Sequence, residues 1–354
     1  MKKTRLFAML LTSVLLIGSG TGCSTDSENT AVPDADVGVD SGESEVLTVA
    51  FSQCGNQNNW KVVQTNDMKE KIEARGYQYI YTDAQDDTAK QMSDIEDIIS
   101  QKPDYLIVSP RESEGLTPVL KSAMDAGIPV ILVDRGINGE AGVDYTTLNS
   151  ADLIWEGQTC AQYMKEQFGD ERCNVVELTG TPGATSTIDR NKGFTEEIAN
   201  YDNIKIIASQ VGNFNRAESQ KAMENLIQAY GDEIDAVFAH NDDNAIGALQ
   251  AIKAAGLKPG EDIKIYSMDG QKDALQAIID GDMELSVLCQ PRFGDSVLAI
   301  IDQLEAGEEV PAFVKMKVSY IRLKMQRNAW TRRIDAFMHL KIAFGRGAKR
   351  PSPL

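Results

Sequence analysis

Two doubly wound α/β domains facing one another are the fold class predicted for this chain of 354 residues. Three observations predict it. Short apolar runs alternate with helical periodicity, which implies parallel sheets covered by helices. The alternation restarts after Ser150, and the length suits about two domains. In order, residues 47–51 are a strand candidate, followed by a helix with Val62, Thr65, Met68 and Ile72 on one face and Gly76 past its end. Residues 77–81 form the next strand, and Met92, Ile95 and Ile99 mark a second helix. Strands follow at 105–108 and 130–133, with a helix ending near Gly127 between them. In the second half, strands are expected at 175–178, 204–208, 236–239, 263–267 and 285–288. The clearest helix carries Ala245, Ala248, Leu249 and Ile252 at i, i+3, i+4 and i+7, and stops at Gly256 with Pro259 beyond. A last strand is read over 314–320.

The chain's start reads as a leader. Lys2, Lys3 and Arg5 precede an apolar run over 6–17, and small residues then lead to Cys23. That run is shorter than the ~18 residues of a spanning helix. Gly20-Thr21-Gly22-Cys23 resembles a bacterial lipoprotein cleavage site, with lipidation expected at Cys23; an ordinary secretory signal is the alternative. Residues 24–45 hold seven acids and no Lys or Arg, the composition of a tether that cannot bury a core. The far end is its opposite: residues 321–354 carry nine Lys or Arg against Asp335 alone, leaving −26 for the rest of a chain whose sum is −18. So acidic a body argues against nucleic acid as partner. The four later cysteines lack metal-ligand spacing; Cys160–Cys173 is the most plausible disulfide, and Cys54 and Cys289 fit buried free thiols at least as well as a bridge.

Asp134, Arg135, Asn241, Asp269 and Gln290 follow or closely trail strand candidates, and Arg190 opens a predicted helix. In open α/β sheets, ligands bind outside the carboxyl ends of the strands. Acids, forked guanidiniums and amides suit a polyhydroxylated molecule, because hydroxyls both donate and accept. Each residue also has a structural reading. Asp134 can pair with Arg135, Asp269 before Gly270 can shape a turn, and Asn241 can cap the next helix. Trp60 reads equally as a stacking wall or a core residue. The Gly-rich run over 180–186 lacks the ending of a phosphate loop and reads as a tight turn. His240 and His339 are the two histidines, too few for a metal cluster, so a structural role suits His240 better.

Taken together, these residues resemble the type 1 periplasmic sugar-binding proteins of ABC importers. The likeness runs from Val46 to Val318. Cys173-Asn174-Val175-Val176-Glu177-Leu178, Thr187-Ile188-Asp189-Arg190 with Lys192-Gly193-Phe194, and the Ala239 to Asp243 run look nearest to the galactofuranose-binding branch. The resemblance implies two lobes joined by a multi-strand hinge, closing over a sugar. The first lobe would hold 46–149 and 290–309, and the second 150–289 and 310–320, after a leader (1–22) and tether (23–45) and before an atypical basic tail (321–354). It also implies that Asp134, Arg135, Arg190, Asn241, Asp269 and Gln290 hold sugar hydroxyls, with Trp60 as the wall. Lys61 stands where that branch carries arginine, while Gln53 and Arg111 complete the ligand candidates; Arg111 beside Glu112 equally fits a solvated pair.

The expectation is therefore an extracytoplasmic, lipid-anchored, monomeric binding protein that delivers a monosaccharide to an ABC permease, without cofactor, metal or turnover. The alternative is a receptor that reports a sugar or signalling ligand to a membrane kinase or chemoreceptor. A carboxylate pair can in principle act on a glycosidic bond, but acids among arginines stay ionised and make poor general acids.

Overall fold

The computed structural model describes residues 46–316, so Cys23, the leader, the tether and the basic tail lie outside the described residues. Six parallel strands make the first sheet: β1 (Thr48–Gln53), β2 (Gln78–Asp83), β3 (Tyr105–Ser109), β4 (Val130–Val133), β5 (Thr147–Ser150) and β11 (Phe313–Lys315). Their order is β11-β5-β4-β3-β1-β2. The second sheet has β6 (Cys173–Thr179), β7 (Ile204–Val211), β8 (Ala236–Ala239), β9 (Lys264–Asp269) and β10 (Leu285–Leu288), all parallel, in the order β10-β9-β8-β6-β7. The two orders are the same doubly wound pattern repeated, so β1 corresponds to β6 and β4 to β9. In this pattern the order reverses beside the first strand of each repeat, which opens a crevice there.

Both sheets are covered on both faces, which is why β3, β4 and β8 are buried at every residue. Helices α1 (Asn59–Ala74) and α9 (Gly294–Glu305) pack Met68, Ile72, Phe293 and Val297 on one face of the first sheet. On its other face α2 (Thr88–Ser100) and α3 (Thr117–Asp125) pack Ile95, Ile98 and Leu120. The second sheet is covered by α4 (Leu153–Phe168) and α5 (Thr185–Ile198) around Met164 and Phe194. Its opposite face carries α6 (Arg216–Tyr230), α7 (Asp242–Ala254) and α8 (Lys272–Asp280) around Met223, Leu226, Ile252 and Ile278.

Three expectations need correction. Residues 310–315, assigned from the sequence to the second lobe within 310–320, belong to the first: β11 pairs with β5, and Val310 and Val314 pack on the first lobe's core. Among the described residues the chain thus crosses between lobes after β5 and after β10, and not near Val310. The Cys160–Cys173 bridge is absent, since both thiols are free and buried; Cys160 Sγ instead donates to the Ser267 carbonyl at 3.5 Å. Finally, α1 buries only part of the face its apolar spacing suggests: Met68 and Ile72 are inside as expected. Val62 is 38% exposed, whereas Lys61, Gln64 and Asp67 are buried. Each of these side chains has a partner: Lys61 donates to Gln64 Oε1 at 3.3 Å, and Asp67 accepts from the backbone N–H of Gly294 at the start of α9, at 2.8 Å, while Gln64 Nε2 has no partner among the described residues.

Candidate functional site

Where the carboxyl ends of the two sheets face each other, ten side chains line one cleft of about 290 Å³, its mouth included: Asn58, Trp60, Lys61, Asp134, Arg135, Ser186, Arg190, Phe214, Asn241 and Asp269. Seven of these were expected from the sequence. Each arrives by a local rule. Asn58 and Asn241 are helix N-caps whose side chains accept from Lys61 N at 3.0 Å and Asn244 N at 2.9 Å, so Asn241 both caps α7 and borders the cleft. Asp134 sits at φ 68° while Arg135 N donates to Val133 O at 2.8 Å across it, a γ-turn of the rare, strained kind. Asp269 also takes a positive φ, 128°. Strain of this sort in a non-glycine residue persists only where the surroundings enforce it, and it clusters at ligand sites.

The first lobe's charges are tightly paired. Lys61 Nζ donates to Asp134 Oδ2 at 2.8 Å, to Ser109 Oγ at 2.8 Å and to Gln64 Oε1 at 3.3 Å. All three ammonium donors are thereby used within the protein. Burial works to raise the Asp134 carboxyl, but the charges of Lys61 and Arg135 outweigh it and hold the group below its ordinary value. Arg135 donates from Nη1 to the Arg111 carbonyl at 2.9 Å and lies 5.2 Å from the Phe214 ring of the other lobe. In the second lobe, Arg190 donates from Nε to Glu156 Oε2 at 2.9 Å and from Nη1 to the His240 carbonyl at 2.7 Å, with Nη2 3.5 Å from Asp269. Burial drives the Asp269 carboxyl well above its ordinary value; Arg190 opposes this, while Asp242 and Asp243 reinforce it.

Trp60 stands at the cleft and in the first lobe's core at once. Its ring borders the cleft, yet it is only 7% exposed, donates Nε1–H to the Cys289 carbonyl at 2.8 Å and meets Phe293 edge-on. His240 is buried against Glu177 at 2.8 Å, and that carboxylate also accepts from Asn191 and Ser209. Burial lowers the His240 pKa, and Glu177 is held down at about 2 against its own burial by the His240 hydrogen bond and charge.

Three candidates fall outside the cleft. Gln290 lines the adjoining cavity, which shares Trp60 and Asp269 with the cleft. Gln53 is wholly buried, bonded to Gln64 at 2.9 Å and Thr65 at 3.2 Å. Arg111 pairs with Asp86 and Glu112 at 3.2 and 3.4 Å and touches the cleft's architecture through its carbonyl. The sequence reading missed Asn58, Ser186 and Phe214. Asn58 carried a signal, a capping residue before a helix; Phe214, in a turn at φ 55°, carried none.

The lobes also touch directly around the rim. Ser113 N donates to the Gly183 carbonyl at 2.8 Å, Gly136 N to Thr185 Oγ1 at 2.9 Å, and Asn58 Nδ2 to the Phe214 carbonyl at 3.3 Å. The structure is therefore a closed form.

Comparison with known proteins fits this geometry. Residues 49–309 match the family described as "Periplasmic binding protein domain". The chain is 40% identical over 279 residues to the galactofuranose-binding protein YtfQ of Escherichia coli (strain K12), covering 78% of this chain and 88% of that one. A solved galactofuranose-binding protein superposes with a TM-score of 0.75 at 40% identity, over 78% of this chain and 94% of that chain. The binding component of an arabinose ABC transporter from Shewanella sp. ANA-3, bound to α- and β-L-arabinofuranose, gives 0.74 at 37% identity, over 77% and 91%.

Proposed function

Because this chain belongs to the periplasmic binding protein domain family, a family of binding proteins and not of enzymes, we propose that it captures a monosaccharide and delivers it to an ABC importer. The ligand is an aldose in furanose form, galactofuranose or a close relative. One observation carries this reading: two arginines, two aspartates, two asparagines and two aromatic rings converge from both lobes on a single small cleft. Arg135 Nε and Ser186 Oγ are buried at the cleft with no hydrogen-bond partner among the described residues, and a polyol would satisfy both.

Capture works by closure. Asp134 and Arg135 belong to one lobe, Arg190, Asn241 and Asp269 to the other, so a sugar reaches all of them only when the lobes meet. The ligand then stabilises the closed state by its differential contacts. Phe214 and Trp60 supply apolar walls for the ring's C–H faces. Lys61 acts on the ligand through Asp134, because its donors are already used. Outside the described residues, Cys23 anchors the chain to the membrane by a lipid, and the protein works as a monomer; Cys23→Ser releases it to the soluble fraction if so.

Calorimetric titration of the purified chain against galactofuranose, arabinose, ribose and fructose tests the assignment. One-to-one binding of a single furanose-forming sugar supports it. Heat from none of the four would overturn the monosaccharide reading.

A further inference from the structure

Glu156 contributes nothing to the cleft surface, yet it is wholly buried directly behind the cleft's most important cation. It lies in the first turn of α4 and accepts Nε–H of Arg190, from α5, at 2.9 Å. Two glycines let it reach. A Cβ at Gly157 would stand 2.1 Å from the Arg190 carbonyl oxygen, and one at Gly193 would stand 2.0 Å from that of Ile154. The two helices therefore touch backbone to backbone, which no larger residue at the crossing would permit.

A guanidinium has five N–H donors. One of Arg190's goes to Glu156 and one to the His240 carbonyl, which leaves three for Asp269 and the cleft. The His240 carbonyl is itself steadied, since the His240 ring is tied to Glu177, and Glu177 to Asn191 next to Arg190. Without Glu156, the Arg190 fork is free to turn onto Asp269, pairing two groups that otherwise face the ligand together. The other Glu156 oxygen, Oε1, is buried without a hydrogen-bond partner among the described residues, and Cys289, on the segment that crosses between lobes, anchors Trp60 through its carbonyl.

We propose that Glu156 is a positioning residue for ligand capture: it fixes the Arg190 guanidinium so that its remaining donors face the cleft. This rests on the reading that the cleft holds a sugar, and its test has one arm that does not. Glu156→Gln keeps shape and an acceptor but removes the charge that makes the bond strong. In ligand-free full-length protein, hydrogen exchange of Arg190 Nε–H, assigned by its loss in Arg190→Lys, is followed by nitrogen-15 NMR. The expected result is exchange at least about tenfold faster in the variant, with sugar affinity at least about tenfold weaker. A folded variant with unchanged Nε–H exchange, or with unchanged affinity, overturns the proposal. If the wild type binds no monosaccharide, the functional reading fails while the exchange arm still decides what Glu156 does. Should Glu156→Gln not fold, Glu156→Asp withdraws the carboxylate by one methylene and is read in the same two ways.

Discussion

In the first lobe an aspartate just past β4 meets a cation from the helix after β1; in the second, an aspartate ending β9 meets a cation from the helix after β6. The topology puts Asp134 and Asp269 in equivalent places, and both have positive φ. Their electrostatics differ. Asp134 is 2.8 Å from Lys61, whose other donors brace it, and its carboxyl is held below the ordinary range against burial. Asp269 is 3.5 Å from an arginine already committed to Glu156, and it shares its surroundings with Asp242 and Asp243; burial and those neighbours push it up. The repeated fold fixes where each carboxylate sits. The neighbours decide which way its titration is pushed.

The sharpest way to break this comparison is to remove each carboxylate in turn. Asp134→Ala strands a buried ammonium, so a loss of about 3–5 kcal/mol in stability is expected beside loss of sugar binding. Asp269→Ala is expected to lose binding while costing no more than about 1 kcal/mol, because its charge was poorly supported. Denaturant unfolding of the two variants decides; equal costs would mean the lobes are electrostatically alike.

Next in size is a pair of glycine substitutions. Gly193→Ala drives a methyl into the Ile154 backbone, and about 1–3 kcal/mol of destabilisation is expected. At Gly136 the nearest obstacle is the Leu148 Cδ2 methyl at 3.2 Å, the end of a side chain that can give; a smaller cost is expected. Melting temperatures of the two variants rank them, and the reverse order would refute the rigid α4–α5 crossing.

The acidic second lobe also predicts a pH signature. Burial raises Asp242 from 3.8 to about 7, against hydrogen bonds from Ser267 and Ser286. A carboxyl with a raised folded-state pKa contributes stability that is fully present below its unfolded value and lost as pH rises through the folded one. Between pH 3.8 and about 7 this group therefore lowers stability as pH rises, and Asp242→Asn should flatten that slope. Parallel melting-temperature curves for variant and wild type across this window would exclude the assignment. The smallest effect expected is at the lobe contact itself. Phe214→Ala removes the ring that Arg135 faces, and affinity should weaken by about 1 kcal/mol, roughly fivefold; unchanged affinity would leave closure to the polar contacts alone.

Much of this was legible in the residues. Strands with a strong apolar run, such as Val130–Val133 and Ala236–Ala239, declared themselves, and so did the polar residues that trail them. β5, Thr-Leu-Asn-Ser, and the three-residue β11 offer almost no pattern, so their pairing, and with it the lobe that holds residues 310–315, was not readable. Helix α1 misled in part because its buried face adds Lys61, Gln64 and Asp67 to Trp60, Met68 and Ile72; the polar three are inside for the bonds they make, which hydrophobic spacing does not encode. Gln290 was placed by analogy of position, and it lines the neighbouring cavity, which shares Trp60 and Asp269 with the cleft.

By itself, then, the sequence determined the repeated α/β architecture and the set of strand-end acids, arginines and amides, because periodicity and turn chemistry are local properties. Only the tertiary structure decided which of them share a cleft, that Lys61 serves Asp134, that Phe214 closes over Arg135 from the opposite lobe, and that Glu156 stands behind Arg190. Those relations join residues tens to more than a hundred positions apart, and they exist only once packing has brought two sheets and two helices together.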